Sequence, residues 1–132
     1  MTRTKPDVCV KRAYEAPARE DGRRVLADRM WPRGVKRDEL GLDDWLKDLA
    51  PSNELRRWFG HDPDRWPEFT ARYRDELAKP PASEALAQLV RYARQGRLTL
   101  IYAARDETHN NAVALRDLIL EQLSQRTKAA RQ

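Results

Sequence analysis

"RLTLIYAA", residues 97–104, decides the fold. A strand wet on one face alternates apolar and polar side chains. This run is almost continuously apolar, with β-branched and aromatic members, which fits a strand covered on both faces in the middle of a parallel sheet. Working upstream, "SEALAQLVRYAR" (83–94) places Leu86, Leu89, Val90 and Ala93 at helical spacing, with Ser83 expected as its cap and Gly96 as its stop. Downstream, "RDETHNN" (105–111) is a polar loop, and "AVALRDLILEQL" (112–123) is a strongly periodic closing helix. A helix, a doubly covered strand and a further helix in succession indicate an α/β chain.

The N-terminal half supplies the other strands. "DVCVKRAY" (7–14) and "RRVLADRM" (23–30) read as strands separated by the turn-rich "EAPAREDG", and Pro32 closes the second because it cannot donate to a ladder. Helical periodicity then takes over. "LDDWLKDLA" (42–50) puts Leu42, Trp45, Leu46 and Leu49 at i, i+3, i+4 and i+7, which predicts a helix ended by Pro51. Ser52 is a natural cap for "NELRRWF" (53–59), which Gly60 ends. "DPDRWPEFTARYRDELA" (62–78) stacks Phe69, Tyr73 and Leu77, with Pro67 in the first turn. Trp45 and Trp58 fall on these apolar stripes and are read as core. The expectation is one α/β domain over 1–123: a small, mainly parallel sheet of about three or more strands, flanked by helices in a sandwich-like arrangement.

Composition narrows the function classes. The chain has 132 residues, 26 Lys plus Arg against 21 Asp plus Glu, and a net charge of +5. Arg126, Lys128 and Arg131 account for three of those surplus charges, in a tail (124–132) expected to be frayed. The remainder is nearly balanced, which argues against a dedicated nucleic-acid face. Cys9 is the one cysteine, so neither an internal disulfide nor a cysteine-cluster metal site is available, and a small buried thiol is expected there. The carboxylates and the two histidines lack metal-ligand spacing, and no cofactor fingerprint is present. No run approaches the ~20 apolar residues a membrane helix needs, and the N-terminus has no signal-like apolar core, so the expected location is the cytoplasm.

If the strands at 23–30 and 97–104 are parallel, "DRMWPRG" and "ARDETHNN" meet at the carboxyl edge of the sheet, where open α/β sheets usually bind ligands. These segments, with "KRAY" (11–14), "DGRRVLADRMWPRGVKRDEL" (21–40), "PSNELRRWF" (51–59) and "LTLIYAARDETHNNAVAL" (98–115), resemble the YeaO-like family of small bacterial proteins, the DUF488 group of domains of unknown function. The resemblance covers about residues 8–123. It implies an α/β fold of the sandwich kind and brings no assigned activity.

The residues themselves suggest chemistry. Arg29 and Arg33 offer guanidinium forks matched to phosphate or carboxylate. Pro32 stiffens the turn that aims Arg33, and Gly34 would allow close backbone approach. Asp28 would orient an arginine or accept a substrate hydroxyl. Asp106 or Thr108 would cap the closing helix, and Arg105, Thr108 and Asn110 would complete an anion site. Asp28, Asp106 and His109 are the catalytic candidates, with His109 as an acid or base near neutral pH. His61 reads as a local turn residue and Trp31 as packing. Arg56, Arg57, Lys36 and Arg37 are interleaved with acids and read as a solvated face. The plainer account of Asp28, Arg29 and Arg33 is an ion-pair network that satisfies strand ends. The resulting expectation is a domain that binds a small anionic or phosphate-bearing ligand, with turnover left open. The alternative is a nucleic-acid-associated or regulatory binding module.

Overall fold

The computed structural model describes residues 7–130, with side chains through 124. The run at 97–104 forms β4 (Leu98–Tyr102), buried at every position. Its neighbours explain why. β1 (Val8–Arg12) pairs on one side and β2 (Arg23–Leu26) on the other, both parallel, and β3 (Asp44–Trp45) pairs with β2, also parallel. The sheet order is β1-β4-β2-β3. All four carboxyl ends therefore point the same way, as the sequence implied for β2 and β4.

The two faces of the sheet are covered unequally. Val8, Val25, Leu98, Leu100 and Tyr102 face a large core filled by α2 (Asn53–Phe59), α3 (Trp66–Leu77), α4 (Ala82–Gln95) and α5 (Asn111–Ala130). Leu26 and Ile101 face a smaller core with Ala13 and Leu40, closed by Trp31, Val35, Leu42 and Trp45. The cover there is the connection after β2, including the single-turn α1 (Arg37–Leu40). A polar network fills the rest of that face. The Arg24 guanidinium, 4% exposed, donates to Asp21 at 2.6 Å and to the Leu40 carbonyl at 2.8 Å. Lys11 donates to Asp21 at 3.1 Å, and the Thr99 hydroxyl donates to the Asp21 carbonyl at 2.7 Å. Burial works against the Asp21 charge, but the Ala18 N–H, Lys11 and Arg24 outweigh it and hold the carboxyl below its usual range.

Three local expectations need correction. Residues 42–50 are not a helix: β3 and a 3-10 turn, Lys47–Leu49, occupy them. The apparent stripe divides between the two cores. Leu42 and Trp45 join the smaller one, and Leu46 and Leu49 join the larger. The chain crosses from one core to the other between Trp45 and Leu46, and a two-residue strand followed by a 3-10 turn happens to space these four side chains as a helix would. Ser83 does not cap α4, which starts at Ala82 after Pro81; the Ser83 amide donates to the Lys79 carbonyl at 2.9 Å, inside the first turn. The strand expected over 23–30 stops at Leu26: the Ala27 N–H still donates to the Ile101 carbonyl at 3.3 Å, but the next donor, the Ala103 N–H, goes to the Asp28 carboxylate instead of to backbone.

Cys9 also departs from expectation: it is half-buried, and its thiol donates to the Asp7 carboxylate at 3.3 Å. The capping of α2 follows the sequence. The Ser52 hydroxyl accepts the Leu55 N–H and donates to Glu76 of α3 at 2.6 Å, so one side chain caps α2 and docks it on α3. Gly60 ends α2 in the left-handed region at φ 53°. The closing helix runs to Ala130, longer than expected, and the side chains of the basic tail from 125 onward lie outside the described residues.

Candidate functional site

The carboxyl ends of β2 and β4 are joined by Asp28. One of its oxygens accepts the Ala103 N–H at 2.9 Å, and the other accepts the Asn111 side-chain amide at 3.1 Å. Asn111 also donates to the Ala27 carbonyl at 3.2 Å, which ties the start of α5 to the end of β2. Burial pushes the Asp28 carboxyl up from its ordinary range, while Asn111, Ala103 and the charge of Arg56 pull the other way. Among the described residues no cation forms an ion pair with it. Asp28 thus braces the strand ends without the arginine partner the sequence suggested.

The turn that follows is built by its own residues. The Val35 N–H donates to the Pro32 carbonyl, and the Trp31 indole N–H donates to the Val35 carbonyl at 2.6 Å. Gly34 occupies the third position of that turn at φ 81°, a left-handed conformation only glycine adopts freely. Its role is this conformation. Trp31 also packs edge-on against Trp45 at 5.4 Å. Arg33 is left at the tip of the turn, exposed.

At the far side of the edge, Asp106 organises the loop. Its carboxyl accepts the N–H groups of Thr108 and His109 and the Thr108 hydroxyl, and faces His109 Nδ1 at 3.1 Å. These bonds, the Thr108 N–H first, lower its pKa to about 2. The cap of α5 is neither Asp106 nor Thr108. Asn110 holds that position, its side-chain oxygen accepting the Val113 N–H at 3.0 Å and its amide donating to the Asp106 carbonyl at 2.8 Å.

Between the two segments lies a cavity of about 400 Å³. Arg29, Arg33 and Arg56 stand on its rim, exposed, and Asp28, Asn110 and Asn111 line its inner end. Phe59 and Phe69, stacked at 4.4 Å, form a wall with Trp31. Both histidines of the chain line it: His109 packs edge-on against Trp66 at 5.3 Å, and His61 leans on Phe59 at 6.3 Å. Tyr14 and Met30, two of the exposed large apolar side chains, sit at the mouth. The two sequence segments therefore do converge. Arg29 and Arg33 have no ion pair or hydrogen bond with any described residue, so they are not spent on an internal network.

Other expected contributors stand apart. Gly34, Arg105, Asp106 and Thr108 do not line the cavity, and Thr108 is engaged by Asp106. Arg56, His61 and Asn111 line it without having been singled out for it. Arg56, interleaved with acids in the sequence, reaches the cavity rather than a solvated mixed face. His61 is the non-glycine residue with positive φ, 58°, among the described residues. Backbone of that kind concentrates at functional positions, and the "GHDP" turn in the sequence was the signal for it. No group of three or more metal-ligating side chains occurs among the described residues.

Residues 7–132 match the family described as "Inactive DUF488-N3 subclade". The chain belongs to the DUF488 family. Similar proteins include uncharacterized protein Rv3073c of Mycobacterium tuberculosis, 41% identical over 112 residues that span 85% of this chain and 92% of that protein. Uncharacterized protein YeaO of Escherichia coli is 39% identical over 107 residues, 81% of this chain and 91% of its own. No solved structure matches the chain. The YeaO-like resemblance read from the sequence is thereby shown.

Proposed function

We propose that this protein binds a small anionic ligand, phosphate- or carboxylate-bearing, in the cavity at the carboxyl edge of its sheet. The observation that carries the reading is the rim: Arg29, Arg33 and Arg56 face one cavity, and Arg29 and Arg33 have no partner among the described residues. Exposed guanidiniums without acids at the mouth of a concave site are free to give charge-assisted, bidentate hydrogen bonds to an oxyanion. A cavity of this size lies at the small end of ligand sites, and its largely apolar wall with a few polar groups is their usual make-up.

Binding without turnover is the reading adopted. The described lining residues offer no serine, cysteine or lysine nucleophile, and the subclade's description as inactive points the same way. The Asp106–His109 pair holds an imidazole at the wall, where it serves as a hydrogen-bonding group for the ligand.

The test is a thermal-shift titration with inorganic phosphate, a sugar phosphate and a dicarboxylate. At a hundredfold excess over Kd a single-site ligand adds about 2.7 kcal/mol, a rise of several degrees in Tm. Arg33→Ala should weaken the affinity roughly tenfold or more, the worth of a charged hydrogen bond, which cuts the stabilisation at the same ligand concentration to about half or less, and leave the ligand-free Tm within a few degrees. A variant that unfolds without ligand would make Arg33 a structural residue. No response to any anion would remove the reading.

A further inference from the structure

The rim explains an anion but not the inner end of the cavity. Asp28 lies there as a mostly buried carboxylate whose two oxygens each accept one hydrogen bond, from Ala103 and from Asn111. A carboxylate has about four lone-pair sites, so each oxygen retains capacity for a second donor. No cation pairs with it among the described residues, and a buried charge is costly unless donors surround it. An occupant that is only an anion meets the arginines and then confronts a second negative charge. The occupant must therefore be two-ended, with its anionic group outward at the rim and N–H donors inward.

The walls between the two ends select the body of that occupant. Phe59 and Phe69 are nearly buried and close the back of the cavity, while the partly exposed rings of Trp31, His61 and His109 stand in its lining beside Ala50, Pro51 and Ala103. Such walls favour a flat ring over an aliphatic chain. We propose, building on the anion-binding reading above, that the cavity takes a mononucleotide: its phosphate on Arg29, Arg33 and Arg56, its base against the rings of Trp31, His61 and His109, and adjacent N–H donors of the base edge on Asp28. A guanine edge supplies two such neighbouring donors. An adenine edge sets an acceptor beside its donor and opposes a carboxylate.

Isothermal titration of the full chain tests this with guanosine 5′-monophosphate, adenosine 5′-monophosphate, guanosine, inorganic phosphate and glutamate. A bidentate base contact discriminates by about tenfold or more. Guanosine 5′-monophosphate should therefore bind at least tenfold more tightly than each of the other four. Asp28→Asn, which turns an acceptor into a donor, should bring the two nucleotides to within about twofold of one another. Because Asp28 also braces the strand ends, its variant is informative only if it melts cooperatively; the nucleotide comparison on the unaltered chain decides without it. Phosphate binding with no preference for the base would overturn the nucleotide assignment and leave the anion site standing. Tightest binding of glutamate would assign a zwitterion instead. A 5′-phosphorylated dinucleotide that binds more tightly than the mononucleotide would replace the free nucleotide with a strand end. Failure of all five compounds would remove both readings.

Discussion

Asp106 and Asp28 are aspartates at one sheet edge with opposite electrostatics. The first gathers two N–H groups and a hydroxyl, and its pKa falls to about 2 from the usual 3.8. The second is pushed upward by burial. A lowered carboxyl favours the folded state when ionised. Its contribution is complete above about pH 4 and disappears as the pH drops towards 2. The Asp106 side chain is 32% exposed, so solvent screening limits the gain to about 1 kcal/mol. Denaturant unfolding between pH 5 and 2 should then show a shallower acid loss for Asp106→Asn than for the natural chain. Parallel curves would mean that the loop hydrogen bonds do not depend on the charge. Asp28 works in the other sense, and protonation relieves its burial cost. Asp106 was legible in the sequence as a loop acid, but its part as organiser of Thr108 and His109, rather than as a ligand contact, depended on the Asn110 cap.

Among the elements, α2 carries most of what the sequence left hidden. It delivers Arg56 and Phe59 to the cavity, and its direction is set by Ser52, which caps it and bonds Glu76 of α3. The capping was readable from Ser52 and Gly60. The orientation was not, since it depends on Glu76 twenty-four residues away and on Phe59 stacking against Phe69. That is why Arg56 looked like an ordinary surface charge. Ser52→Ala removes the cap and one partner of Glu76. The expected cost is about 1–2 kcal/mol and a Tm lower by several degrees, measured by calorimetry. An unchanged Tm would show that packing alone holds α2. β3 was hidden for a different reason. Two residues give too little pattern to announce a strand, and Trp45 and Leu46 point to opposite cores.

Across the whole molecule, parallel strand direction does the organising. Once the continuous apolar run of β4 is taken as a central strand, its carboxyl end and that of β2 must share an edge, and the loops that follow must approach each other. The convergence of "DRMWPRG" with "ARDETHNN" was legible for that reason alone. The further lining came from α2, which carries Arg56, and from the turn after it, which carries His61, and composition does not specify how these pack. Three of the five surplus charges belong to the tail, while Arg29, Arg33 and Arg56 line one cavity. No helix among the described residues is long and apolar enough to cross a membrane. The central claim is that Arg29, Arg33 and Arg56 act together on one anion. A crystal structure grown from sulfate tests it most directly. The account predicts a sulfate within about 2.7–3.2 Å of at least two of these guanidiniums. An empty cavity with the arginines folded onto acids of the same chain would contradict it.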